Sequence, residues 1–316
     1  MIETFNTRDE WLAARRTGIG ASDVPTILGL APWSSLFALW AEKTGQDPGD
    51  EAIEKKPWIE WGIRLEQPIA EAFAGRTHRD VTLRPRYSLE RNADDPWLLA
   101  SLDAEQRIPL TAVPQFAEKL ELSLPLPVYE RPGALQIKTA TQFKAKEWID
   151  GIPLYYQVQV QHELAVSGFE WATLCVLIGG HRFITFPDIP RNDKFISAMR
   201  PKLERFQELV AAKKAPPIDD SEATARALAR MHWEDSGKTV VLPPESAQWD
   251  RDLVKVKDLI SQLCTAKDRL ENLIKSHIGD ASYGLLPCGE RYSWKTYTKR
   301  TYTVPEHEEK PLRRVK

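Results

Sequence analysis

Apolar residues between Trp58 and Phe73 recur every fourth position, at Trp61, Leu65, Ile69 and Phe73, which predicts one buried helical stripe. Pro68 interrupts it, so a kink or a boundary is expected there. Upstream, residues 8–16 read as a short helix carrying Trp11 and Leu12. The glycine-broken turn Gly18-Ile19-Gly20-Ala21-Ser22-Asp23 follows, with Ser22 or Asp23 as N-cap of a second short helix ending near Gly29. Ser34 or Ser35 caps LFALWAEKTG, which Gly45 stops, and residues 46–57 read as a polar loop. Strands are expected at 81–89 and 97–102, then a proline-rich hairpin connection over 104–134. A strand at 134–138 should enter a helix at 139–150, and a second helix should run from 153 to 166 and stop at Gly168. Residues 171–178 and 182–186 read as a strand pair, followed by an amphipathic helix over 191–212. Ala215-Pro216-Pro217 marks a boundary, giving domains at 1–215 and 216–316. In the second, residues 251–278 show a 4-3-4-3 seam suited to a partner helix, weakened by Lys267, and 290–304 alternates as a strand.

Composition narrows the class. The 316 residues are 42% hydrophobic, enough for a sizeable core in one large domain or two ordinary ones. A net charge of -2 argues against a uniformly basic coat but leaves room for a basic groove. Three scattered cysteines without a CxxC pair exclude a zinc ribbon, an iron–sulfur cluster and a disulfide scaffold. The N-terminus lacks an apolar signal core, and no run reaches the roughly 18 apolar residues of a membrane span, so a soluble cytoplasmic protein with no membrane partner is expected.

Candidate chemistry lies in five short segments. Asp103 ends the apolar strand LLASL, and Gln136 and Lys138 lie two apart in ALQIKTA, projecting from one face of a strand. A carboxylate ending one strand and an acid-x-lysine on its neighbour make a metal site of the nuclease kind, because magnesium takes oxygen ligands and a nearby ammonium can orient water or oppose phosphate charge. Read apart, Asp103 is a turn residue and Lys138 a surface charge. Glu66, beside the helical stripe, is placed to supply an outer ligand. In YYQVQVQHEL, Gln157 and Gln161 share one helical face, and Gln159, His162 and Glu163 lie on another. Arg15-Arg16 with Gly18, Gly20 and Ser22 suits a terminal phosphate.

In this order the segments resemble the YqaJ-like viral recombinase family, on the lambda-exonuclease branch of the PD-(D/E)XK nucleases. The carrying residues are Gly18 to Asp23, Trp33 to Gly45, Trp61-Gly62 with Leu65-Glu66, Ser101-Leu102-Asp103, Leu135 to Thr139, and Gln157 to His162. The resemblance implies an α/β fold, a mixed central sheet flanked by helices as in restriction endonucleases, with a C-terminal helix and β-hairpin appended. It implies Mg2+-dependent 5′-to-3′ digestion of linear double-stranded DNA, with Mn2+ as a substitute, by a homotrimeric ring. It implies a single-strand annealing protein as partner and a phage or prophage setting in a bacterial cell. Carried over by position, Asp103 is a metal ligand, Glu66 a weak or outer one, and Lys138 positions the water. Gln159 lies beside the nucleophile, and Arg15 or Arg16 with Ser22 holds the 5′-phosphate.

Position 136 departs from the pattern, which has Glu there. Glutamine keeps the shape and one oxygen but loses the charge, so divalent affinity should fall. Two explanations stand: an engineered Glu→Gln variant made to trap substrate, favoured by the intact surroundings, or a natural member with poor catalysis. Arg131, Lys144 and Lys146 stand in a stretch without acids and are candidates for weak DNA-backbone contact. Trp294 and Tyr297, between basic residues of the tail, are candidates for base stacking. The rival readings are a restriction-like or structure-specific endonuclease, a non-cleaving DNA-end-binding protein, and an interaction protein built on the 251–278 helix.

Overall fold

The strands at 88–91, 98–100, 133–140 and 171–178 are buried for most of their length, and two sheets with the helices between them account for that burial. The computed structural model of the protein describes residues 2–48, 56–109 and 123–298. The chain divides into two compact units, Met1–Trp233 and Glu234–Lys316.

The first unit opens with β1 (Ile2–Thr4), α1 (Arg8–Arg16), β2 (Ile19–Gly20), α2 (Val24–Ile27) and α3 (Leu36–Lys43). Thr7 and Glu10 form a reciprocal capping box at the start of α1, and Ser35 caps α3 by accepting the Ala38 N–H. Asp23 precedes α2 but does not cap it. Its carboxylate instead accepts the Gly20 N–H at 2.8 Å and pairs with buried Lys43 at 2.6 Å. Gly18 is required sterically, since a Cβ there would stand 2.1 Å from the Trp97 carbonyl oxygen.

Helix α4 runs unbroken over Pro57–Thr77, through Pro68. Its buried face holds Ile69, Ala70 and Phe73, and Leu65 packs at the edge. Trp61 departs from the expected stripe and is 57% exposed. The expected strand at 81–89 resolves into β3 (Asp80–Leu83) and β4 (Ser88–Arg91), and that at 97–102 into β5 (Leu98–Ala100). The connection expected over 104–134 opens instead with a strand, β6 (Ala104–Arg107), and its residues 110–122 lie outside the described residues. Strand β7 (Gly133–Ala140) outruns its expected end at 138, and a 3-10 turn, Gln142–Trp148, replaces the α-helix expected at 139–150. Helix α5 (Leu154–Ser167) ends at Gly168 in a left-handed conformation, as expected. It leads into β8 (Trp171–Ile178), β9 (Arg182–Thr185), β10 (Ile189–Pro190) and α6 (Asp193–Ala211).

Two mixed sheets result. One has the order β1-β4-β5-β2, the other β10-β8-β7-β6-β3, with β9 also pairing β8. Strands β7 and β8 are parallel and joined through α5. Helix α4 covers one face of the larger sheet through Leu135, Ile137 and Cys175. Helix α5 packs Val160 and Leu164 on the larger sheet's core, and Val158, Ala165 and Val166 on the core shared by the smaller sheet and α6. This α/β architecture of mixed sheets flanked by helices meets the expectation.

The first unit continues past the expected boundary at residue 215. Helix α7 (Glu222–Met231) buries Ala227 in the core with α3, its Thr224 hydroxyl lies 2.8 Å from that of Ser35, and Arg230 donates to Asp47 at 2.8 Å. The second unit has a helix, α8 (Ser246–Ile278), and a hairpin of β11 (Tyr283–Leu285) and β12 (Arg291–Ser293). Only residues 291–293 of the strand expected over 290–304 pair. Residues 294–298 lie outside any strand, and the rest lies outside the described residues.

One buried polar group holds the larger sheet's outer layer. Arg79 donates to both carboxylate oxygens of Asp188, at 2.8 and 2.9 Å, and Thr173, Gln106 and the Tyr129 hydroxyl complete the network. Asp188→Ala would leave the guanidinium buried without its counter-charge, and should cost about 3–5 kcal/mol in equilibrium urea unfolding.

Candidate active site and anion cavity

Asp103 occupies the bend where the chain leaves β5 for β6, and so passes from one sheet to the other. Its carbonyl accepts the Arg84 N–H at 3.0 Å. The pairing of Ala104 with Leu135 brings Asp103 level with Gln136 on β7. The Asp103 carboxylate accepts the Ile137 backbone N–H at 2.7 Å and the side-chain amide of Gln136. Strand alternation turns Leu135 and Ile137 toward α4, and Gln136 and Lys138 toward α5.

Helix α5 supplies the other side. The Gln159 amide donates to Gln136 Oε1 at 3.3 Å and to Glu163 Oε1 at 2.9 Å. The Lys138 ammonium lies 4.9 Å from the Tyr156 ring centroid. Glu66 joins from α4 through its charge. Burial first, then repulsion from Asp103, pushes its carboxyl up to about 7, with Lys138 opposing. The same two causes push Glu163 up to about 8. Burial also raises Asp103, against Lys138 and the Ile137 N–H. Three carboxyl groups thus share the field of one ammonium.

A cavity of about 130 Å3 adjoins this cluster, lined by Arg15, Gly20, Ser22, Ser101, Gln159 and Glu163 among others. Arg15 donates to the Ser22 hydroxyl at 2.7 Å and stacks on Trp11, 4.6 Å from the ring centroid. Of the two candidate arginines, Arg15 lines the cavity, whereas Arg16 is exposed and off its wall.

The sequence-predicted residues therefore divide. Asp103, Gln136 and Gln159 form a hydrogen-bonded chain in that order, Lys138 and Glu66 act on Asp103 by charge, and Arg15 and Ser22 share the cavity with Gln159. Arg131, Lys144 and Lys146 stand apart. Lys144 pairs with Glu147, Arg131 pairs with Glu170 at 2.6 Å, and Lys146 is exposed. The stretch 131–146 lacks acids, but acids just beyond it in sequence or across the fold neutralise part of its charge. His162 turns elsewhere: its ring nitrogen lies 3.1 Å from the Leu99 carbonyl, and burial lowers its pKa to about 4, so it is neutral at pH 7. Glu163, placed by the sequence on the helical face of Gln159 but given no role there, joins the cluster as acceptor of the Gln159 amide.

Among the described residues, no three His, Cys, Asp or Glu side chains form a group able to hold a metal ion. The expected set of Asp103, Glu66 and position 136 fails at position 136, where an amide stands and donates to the Asp103 oxygen a cation would use.

Fold and site together define an α/β protein built on a buried acid–amide–ammonium cluster beside an arginine-lined cavity. Residues 10–170 match the YqaJ-like viral recombinase domain, and the chain belongs to that family. It is 32% identical to the uncharacterized protein YqaJ of Bacillus subtilis (strain 168) over 285 residues, 89% of this chain and 81% of that protein. It is 27% identical to protein D345L of African swine fever virus over 165 residues, 50% of this chain and 45% of that one. Among solved structures it is similar to the alkaline exonuclease LHK-Exo of Laribacter hongkongensis, at 18% identity and a TM-score of 0.48, covering 65% of this chain and 93% of that one. No helix among the described residues is long and apolar enough to cross a membrane.

The raised carboxyls set a pH dependence. Glu66 and Glu163 bind protons more tightly folded than unfolded, so their stabilising effect is full below the unfolded value of 4.5 and is lost as pH rises through about 7 and about 8. Thermal stability measured without divalent ions should fall between pH 5 and 8.5. Glu163→Gln should flatten that fall, recovering on the order of 1–3 kcal/mol at pH 8.5.

Proposed function

We propose that this chain is a deoxyribonuclease of the recombination type, a 5′-to-3′ exonuclease on linear double-stranded DNA that leaves 3′ single-stranded tails for strand annealing. The observation that carries the reading is the convergence of Asp103, Gln136, Lys138 and Gln159 beside the cavity of Arg15 and Ser22, in a chain of the viral recombinase family.

The residues divide the work by position. The Arg15 guanidinium, already oriented by Ser22 and Trp11, takes the terminal 5′-phosphate through its planar fork, and the Ser22 hydroxyl adds a donor. The Lys138 ammonium, whose charge acts on Asp103, opposes charge building on the scissile phosphate and orients the attacking water. Gln159 holds that water's neighbourhood fixed through its bonds to Gln136 and Glu163. A homotrimeric ring and a single-strand annealing protein complete the reading. Closure of a ring around DNA accounts for processive digestion, since a threaded strand cannot leave sideways.

Magnesium, with manganese as a substitute, is the cofactor such chemistry implies. The side chains at hand offer the hard oxygens it takes. With glutamine at 136 they fall one carboxylate short, and the residues do not fit a fully charged magnesium site. Hydrolysis by this chain is accordingly impaired. The Gln136 amide closing on Asp103 favours a second reading, a DNA-end-binding protein that does not cleave.

Gln136→Glu separates the two. With Mg2+ and a linear 5′-phosphorylated duplex, the variant should digest DNA on the order of 10-fold faster or more than the present chain, leaving closed circular plasmid intact. No gain would favour the end-binding reading, and linearised plasmid would point to an endonuclease. In the Gln136→Glu background, Arg15→Ala should abolish preference for a 5′-phosphate over a 5′-hydroxyl end, and Arg16→Ala should leave it.

A further inference from the structure

Helix α8 presents an apolar face that no other described residue of its own unit covers. Trp249, Leu253, Val256, Ile260, Leu263 and Leu270 are each between 43% and 61% exposed, although they fall on one seam of alternating three- and four-residue steps. The hairpin reaches the helix at its C-terminal end, where Gly284 lies against Ile278. The seam continues over four heptads to Ile274 and His277, and Lys267 is the one formally charged residue on it. A 33-residue helix extends about 50 Å, too long for such a face to remain in water without cost.

We propose that this face is the contact with a second copy of the chain, α8 lying antiparallel on α8 about a two-fold axis. The register decides between orientations. In a parallel in-register pair, Lys267 would face Lys267 in the seam, two ammonium groups against each other. Antiparallel, with the axis between Ile260 and Leu263, each position of one heptad class meets one of the other class. Ile260 then lies on Leu263 of the second copy, Leu253 on Leu270, and Trp249 on Ile274. Lys267 lies on Val256, so its methylene stem covers the valine while its ammonium stays with Asp268 and Glu271 of its own helix, 3.5 and 3.9 Å away. The exposed apolar side chains offer roughly 800 Å2 per helix, the share each partner gives to an interface of ordinary size. The pair is isologous, and it is independent of the DNA chemistry and of any ring formed by the first unit.

The full chain, with Cys288→Ser to remove a second exposed thiol, tests both the contact and its direction. Light scattering coupled to gel filtration should give the present chain twice the assembly mass of Ile260→Asp/Leu263→Asp, whose substituted positions are exposed and leave the melting of the first unit unchanged. Cys264 is exposed and falls beside Lys257 of the second copy only in the antiparallel register. Lys257→Cys should therefore give dimers in high yield with a short bismaleimide, and adding Cys264→Ser should remove them. Equal masses for the two proteins would overturn the proposal, showing that α8 meets another surface or remains single. Cross-linking through Leu259→Cys and Cys264 instead would also overturn it, since those positions neighbour each other in a parallel pair.

Discussion

The carboxylate of Asp103 and the backbone N–H of Ile137 form the bond on which the site depends. One belongs to a bend between two sheets, the other to the central strand of the larger sheet. Joining them sets the end of an inner strand of one sheet against the middle of the other, and everything polar in the cluster is arranged around that joint. A carboxylate there accepts a main-chain donor that would otherwise be buried and unpaired. The same placement withdraws it from water and keeps it beside Lys138. Structural and chemical demands on the residue therefore coincide, as they do when a functional group also terminates a ladder.

The glycine-rich turn near the N-terminus shows a similar economy one layer deeper. Lys43 and Asp23 neutralise each other beneath it, and Asp23 ties down the Gly20 N–H. The Lys43 ammonium also donates to the Arg15 carbonyl, so the helix that presents the arginine and the turn that presents Ser22 share one buried anchor. The arginine's charge is left to the cavity.

Local pattern carried much of this and missed what depends on partners far along the chain. Helices α1, α5 and α6 were legible because periodicity, caps and stop glycines agreed, and β7 with β8 because apolar runs of strand length stood between turn residues. Helix α7 was hidden behind a pair of prolines that resembled a linker, and only its bonds to Ser35 and Asp47 place it in the first unit. Trp61 fitted a four-residue period yet faces outward, because periodicity marks a face and not what covers it. In the site, the spacing of Gln136 and Lys138 was readable from the strand period. Glu163 was readable as sharing the Gln159 face, but not its raised proton affinity, because nothing in its neighbours says that it will be buried or that a distant aspartate will face it. Arg131 and Lys144 erred the other way, looking unopposed in sequence while their counter-charges waited outside the stretch being read.

Helix α5 has apolar contacts on both sides along most of its length, and it carries Gln159 and Glu163 between the arginine cavity and the Asp103 joint. The interval between those two places is thus set by rigid main chain and hardly at all by rotamers. On the proposed reading such a scaffold would work as a caliper: a polymer whose terminus is seated at one jaw would offer the same linkage to the other jaw every time, so the size of each released piece would be dictated by protein geometry and not by base sequence.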